Sequence, residues 1–131
     1  MITDRPILTL LRLEGLAAFV AGIILYGLHG GLLLALIPLL LVPDVSMVGY
    51  LRDPRLGAVL YNVVHNWALG LAVLGLGWWT GVAALLLAGS ILIAHVGMDR
   101  LFGYGLKLPT SFGETHLGRI GKARREATAQ S

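Results

Sequence analysis

The run GLAAFVAGIILYGLHGGLLLALIPLLLVP, from Gly15 to Pro43, carries no charged side chain. Neither does the run LGAVLYNVVHNWALGLAVLGLGWWTGVAALLLAGSILIAHVGM, from Leu56 to Met98. A helix needs roughly 20 apolar residues to cross a bilayer. Each run is too long for one crossing and suits two spans joined by a turn. The pattern therefore predicts an all-α fold, a four-helix transmembrane bundle with spans at about 6–26, 32–51, 56–77 and 82–102. Pro6 suits a first helical turn, where its missing N–H would be unpaired anyway. Pro38 and Pro43 predict kinks in the second span. The turns fall at Gly27 to Gly31, at Arg52-Asp53-Pro54-Arg55 and at Trp78-Trp79-Thr80-Gly81, whose tryptophans suit the headgroup level.

Composition points the same way. The 131-residue chain is 56% apolar and 13% charged, against about a quarter charged in soluble domains. Its mean hydropathy is +0.80. These values exclude a soluble enzyme, a disordered chain and a nucleic-acid-binding domain. The pI of about 9.7 reflects few acids, because the net charge is only +3. With no cysteine, disulfides, thiolate catalysis and Cys-ligated zinc are excluded. Arg5 and Arg12 ahead of Leu16 to Leu25 have the outline of a signal peptide. Glu14 interrupts that outline and no small-residue cleavage site follows, so the first helix reads as a retained span.

All ten Lys and Arg residues fall on one side of four spans: at the start of the first, between the second and third, and at or after the end of the fourth. The positive-inside rule then predicts both termini in the cytoplasm of a multi-pass inner (plasma) membrane protein. Residues 1–121 form a single membrane domain ending in a surface tail, and the polar residues 122–131 are expected to be disordered. The partner is the lipid bilayer and not nucleic acid. So small a fold leaves a homodimer open, although no dimer motif is evident.

Ionisable groups inside spans are costly and tend to face the bundle interior. Helix 1 carries Glu14. Helix 2 carries Asp44, Ser46 and Tyr50, and helix 3 carries Tyr61, Asn62, His65 and Asn66. Helix 4 carries His95, Asp99 and Arg100. At 1.5 Å rise per residue, Glu14, Asp44, His65 and His95 all lie about 10–14 Å deep on the cytoplasmic side. Glu14 shares a face with Ala17, Ala18, Ala21 and Gly22, which predicts that it points inward at a helix contact. Asp44 fits less well, lying opposite Ser46 on an ideal helix. His65 and His95 are candidate ligands for a divalent transition metal, with Glu14, Asp44 and Asp99 as candidate catalytic carboxylates. Two histidines plus carboxylates suit zinc, iron or manganese. The alternatives are a buried hydrogen-bond network that only orders the bundle or binds a partner, and a small proton-coupled transporter built on Glu14. His29, in the opposite turn, reads as simply exposed. In the tail, Lys107, Phe112, His116 and Arg119 suit either a lid over the polar pocket or a contact with anionic headgroups.

Five ordered stretches carry a resemblance. They are Asp44-Val45-Ser46-Met47-Val48-Gly49-Tyr50, Tyr61-Asn62-Val63-Val64-His65, His95-Val96-Gly97-Met98-Asp99-Arg100, Gly103-Tyr104-Gly105-Leu106-Lys107 and Thr115-His116-Leu117-Gly118-Arg119-Ile120-Gly121. Together they resemble the small bacterial membrane proteins catalogued as domain of unknown function 4260, over about residues 8–121. The resemblance implies a four-helix integral membrane protein and no established activity. It also implies that the polar positions inside these stretches belong to one site, leaving the chemistry of that site open.

Overall fold

The computed structural model describes residues 5–108, 113–120 and 129. Helix α1 runs Arg5–Leu28, about 36 Å at the α-helical rise and enough for a bilayer core of about 30 Å. A short α2, Leu33–Leu39, leads into a 3-10 helix at Val42–Leu51. Helices α3, Pro54–Val64, and α4, Trp67–Thr80, follow, and α5 runs Ala83–Leu101. By length and composition, three segments can cross a membrane: α1, the stretch Leu33–Leu51, and α5. The bent pair α3–α4 makes a fourth if it is counted as one span. The protein is all-α in its membrane part, and its architecture is broadly that of four apolar spans.

Helix α5 is the centre of the molecule and packs against α1 on one side and α4 on the other. It is buried almost all round from Gly89 to Arg100. Glycines make these contacts close. A Cβ on Gly22 of α1 would lie 2.6 Å from the backbone nitrogen of Ala94 on α5. Without a hydrophobic drive between helices in lipid, such small-residue seams are what hold spans together. The buried positions of α1 are Gly15, Gly22 and Tyr26. Glu14 is exposed, which corrects the expectation that it points inward. The seam is centred on its neighbour Gly15, where the backbones meet, and an unpaired carboxylate has no place in so tight a contact.

The second and third spans are not the continuous helices that their hydropathy predicts. Pro38 lies inside α2 and Pro43 opens the 3-10 helix. Proline lacks the N–H and clashes with the carbonyl four residues back, so the chain tightens instead of continuing as α. The 3-10 helix packs on α3, with the Tyr50 ring seated against Gly57. The third span breaks between Val64 and Trp67 with a bend of 41°. There, the Asn66 side chain accepts from the Leu69 N–H at 3.0 Å and caps α4. Asp53 caps α3 in the same way ahead of Pro54. Trp78 and Trp79 belong to the last turn of α4 rather than to a turn, and α4 stops at Gly81 with φ +73°.

Beyond α5, Gly103 with φ +84° turns the chain back. The tail then folds onto the bundle. Strands β1, Glu114–Thr115, and β2, Gly118–Arg119, form an antiparallel hairpin, and Lys107 pairs with Thr115. Lys107, Thr115 and Leu117 are buried. Phe112 and, apart from residue 129, the stretch 122–131 expected to be disordered lie outside the described residues.

Candidate functional site

Asp44, His65 and His95 come from three different elements to one point. His65 Nε2 lies 3.1 Å from Asp44 Oδ1 and 3.0 Å from His95 Nε2. His95 Nε2 lies 3.2 Å from Asp44 Oδ1. Asp99 stands close by, its Oδ2 being 3.4 Å from His95 Nε2 and 3.7 Å from His65 Nε2. Both imidazoles are fully buried, whereas the Asp44 side chain is 33% exposed. Among the described residues, Asp44 is the member of the cluster most open to the outside.

The broken helices explain how the rings are aimed. In the 3-10 register the Asp44 N–H donates to Leu41 O. In an α-helix it would use Leu40 O. Leu40 O is thus left for His95, whose Nδ1 donates a hydrogen bond to it. The His65 Nδ1 binds Tyr61 O at 2.8 Å. Its own carbonyl, released by the break before α4, accepts from Arg100 Nη2 at 3.1 Å. A carbonyl only accepts, so both Nδ1 atoms carry the proton, and in a neutral ring Nε2 is then a bare lone pair. Two such lone pairs and a carboxylate oxygen face one another at 3.0–3.2 Å. All three are acceptors, and together they call for a shared cation, either a proton or a metal.

The surroundings hold this arrangement. Tyr61 stacks on His65 with ring centroids 3.7 Å apart, and its hydroxyl donates to Asp99 Oδ2 at 3.1 Å. The Lys107 ammonium sits 5.0 Å above the other member of the stack, the Tyr61 ring. Asn62 fastens the tail by a double hydrogen bond to Lys107: its Nδ2 donates to the carbonyl at 2.8 Å and its Oδ1 accepts from the N–H at 2.7 Å. Arg100 also donates to Tyr104 O at 2.7 Å. Burial pushes the Lys107 ammonium down to about 8, although Asp99 and Asp44 pull the other way. Burial, with the Arg100 charge nearby, also lowers His116, whose Nδ1 accepts from Leu106 N–H at 2.7 Å.

Not every residue of the expected pocket is here. Glu14 is exposed on α1 and is not part of the cluster. Asn66 serves as a helix cap. Ser46 Oγ is buried in the lining of an apolar cavity, and Tyr50 packs on Gly57; the backbone of Arg119 pairs with Glu114 in the hairpin. The Leu40 carbonyl is a group that residue type cannot reveal, and its only sequence signal is Pro43 two residues after Leu41. His29 has company after all. Its Nδ1 binds Leu25 O at 2.7 Å, and Trp78 Nε1 donates to its Nε2 at 3.3 Å, tying the end of α4 to the turn after α1.

The model of the family described as Domain of unknown function (DUF4260) matches residues 8–120, and the chain belongs to that family. Neither a curated protein nor a solved structure matches it. What is established is a membrane protein of unknown function.

Proposed function

We propose that this member of the family is a metal-dependent membrane enzyme, with Asp44, His65 and His95 holding one divalent transition ion and a lipid or other apolar molecule as substrate. The observation that carries the reading is the convergence of three acceptor atoms within 3.0–3.2 Å. Tetrahedral ligation with metal–nitrogen distances of about 2.0–2.1 Å spaces ligand atoms about 3.3 Å apart, so the cluster is nearly preformed. Two histidines and one carboxylate suit zinc, iron or manganese and leave a coordination position open. The Nδ1 hydrogen bonds to Leu40 O and Tyr61 O supply the outer support that metal-ligating histidines ordinarily have. A bound divalent ion supplies a Lewis acid and lowers the pKa of a coordinated water. Asp99, held by Tyr61, is placed to take a proton beside it. Asp44, the exposed member, faces the substrate's way in.

The distribution of Lys and Arg supports a multi-pass inner-membrane placement with both ends in the cytoplasm. The second reading, a network that only orders the bundle, has the same three acceptors share a proton. Proton-coupled transport through Glu14 draws no support from the position of that residue outside the cluster.

Elemental analysis of the full chain, purified without chelators and reconstituted in lipid nanodiscs, separates the two. About one equivalent of zinc, iron or manganese is expected, falling severalfold in His65→Ala and His95→Ala. Less than about a tenth of an equivalent, unchanged by either substitution, rules the metal centre out and leaves the network.

A further inference from the structure

The breaks in the second and third spans leave a cavity of about 690 Å³ between the 3-10 helix, the α3–α4 junction and α5. That volume is in the range of small-molecule sites, roughly 300–1,000 Å³. Its walls include Leu39, Pro43, Val64, Leu69 and Leu92, and Ser46 is the one polar residue among those lining it. Pro43 and Val64 immediately precede Asp44 and His65 in the chain, so the cavity runs beside the cluster. The Ser46 Oγ is buried and meets no hydrogen-bond partner among the described residues. Ser90 shows the ordinary solution, donating to the carbonyl four residues back at 2.7 Å. A buried hydroxyl without such a bond is costly, and a χ1 rotation that turns the Oγ from its covered position into the cavity would let a ligand acceptor relieve it.

We propose that this cavity holds one acyl chain of a membrane ester lipid, with the Ser46 hydroxyl donating to the ester carbonyl. The wall chemistry selects the occupant. A water-soluble ligand would find a single polar atom, and a peptide would leave its backbone groups unpaired. An acyl chain needs only apolar wall, and its ester offers one acceptor for one donor. The cavity lies in apolar spans, where acyl chains are the solvent. As the substrate site of the enzyme the inference rests on the metal reading, because the chain then sets the lipid's ester region beside Asp44. As a lipid site it stands by itself.

The full chain is reconstituted in vesicles of phosphatidylethanolamine and phosphatidylglycerol containing a phospholipid with a diazirine at one acyl terminus. After irradiation, labelled peptides are mapped by mass spectrometry and metal content is measured on the same samples. Label is expected to concentrate on Leu69 and on Ala88 to Leu92, above that on the exposed face of α1. Ser46→Ala should lower this labelling about fivefold, the effect of one hydrogen bond, and Ala88→Trp should abolish it by filling the cavity. If Ala88→Trp does not fold, Ser46→Ala decides alone. Labelling spread evenly over α1 and the cavity, and indifferent to Ser46→Ala, overturns the proposal. Metal without selective label refutes the acyl site alone. Selective label without metal refutes the metal centre and retains the acyl site.

Discussion

Asp44 and Glu14 exchange roles between sequence and structure, and the reason lies in what surrounds each residue. Glu14 is flanked by small residues, which mark a contact face, but on α1 the buried face is centred on Gly15 and Gly22. Hydropathy and spacing do not distinguish a carboxylate on a seam from one beside it. Asp44 is poorly placed on an ideal α-helix and well placed on the 3-10 helix that forms. His65 and His95, by contrast, were legible, because a lone imidazole in an apolar span must find partners and matched depth leaves few. Tyr61 joins two members of the site through a ring stack on His65 and a hydroxyl bond to Asp99. Tyr61→Phe keeps the stack and the backbone carbonyl that aims His65, and removes only the bond to the carboxylate. A loss of about 1.5–3 kcal/mol is expected, as for a hydrogen bond to a charged group, read by reversible denaturation in mixed micelles. No change in the transition would show that Asp99 is held by other means.

The helices divide into those that hydropathy describes fully and those it does not. Helices α1 and α5 are uninterrupted apolar segments, and their existence follows from length. In the other two spans an apolar average conceals a change of backbone hydrogen bonding. In the second span the signal is legible, since Pro38 and Pro43 predict kinks there and Pro43 opens the 3-10 helix. In the third, Asn66 is a residue that caps helices well, but an uninterrupted run of apolar residues outweighs it, since a break inside a span is tolerated only where protein covers it. Here it is covered, with the carbonyl of His65 taken by Arg100 and that of Leu40 by His95. Pro43→Ala tests whether the 3-10 register is needed. Restoring the N–H lets the helix continue as α, so that the Asp44 N–H competes with His95 for Leu40 O. Far-ultraviolet circular dichroism should show equal or higher helicity, while metal affinity falls about tenfold, as for loss of an outer hydrogen bond to a ligand. Equal affinity at raised helicity would mean that His95 does not depend on that carbonyl.

Across the whole chain, the tail from Gly103 to Ile120 is the part that sequence left most open, because lid and headgroup contact call for the same residues. The structure folds it inward. Asn62 grips Lys107 by both backbone groups, and the hairpin at Glu114 to Arg119 covers it. Closure places an ammonium that is only 4% exposed over Tyr61, and this has a pH signature. Burial lowers Lys107 from its ordinary 10.5 to about 8. Between those values the open tail binds more protons than the closed one, so closure strengthens as pH rises through the window. Below about pH 8 both states are charged and the burial penalty is complete, and above 10.5 both are neutral and it is gone. The gain across the window is up to about 3 kcal/mol, at 1.36 kcal/mol per unit. Limited proteolysis within residues 108–120, by a protease that does not cut at Lys, at fixed protease activity and with metal removed by chelator, should therefore slow from pH 7.5 to 9.5. In Lys107→Met the same segment should be protected equally at both pH values, because a neutral side chain of similar length fills the position without a proton to lose. Protection that rises with pH in Lys107→Met as well would assign the dependence to another group and leave Lys107 as packing alone.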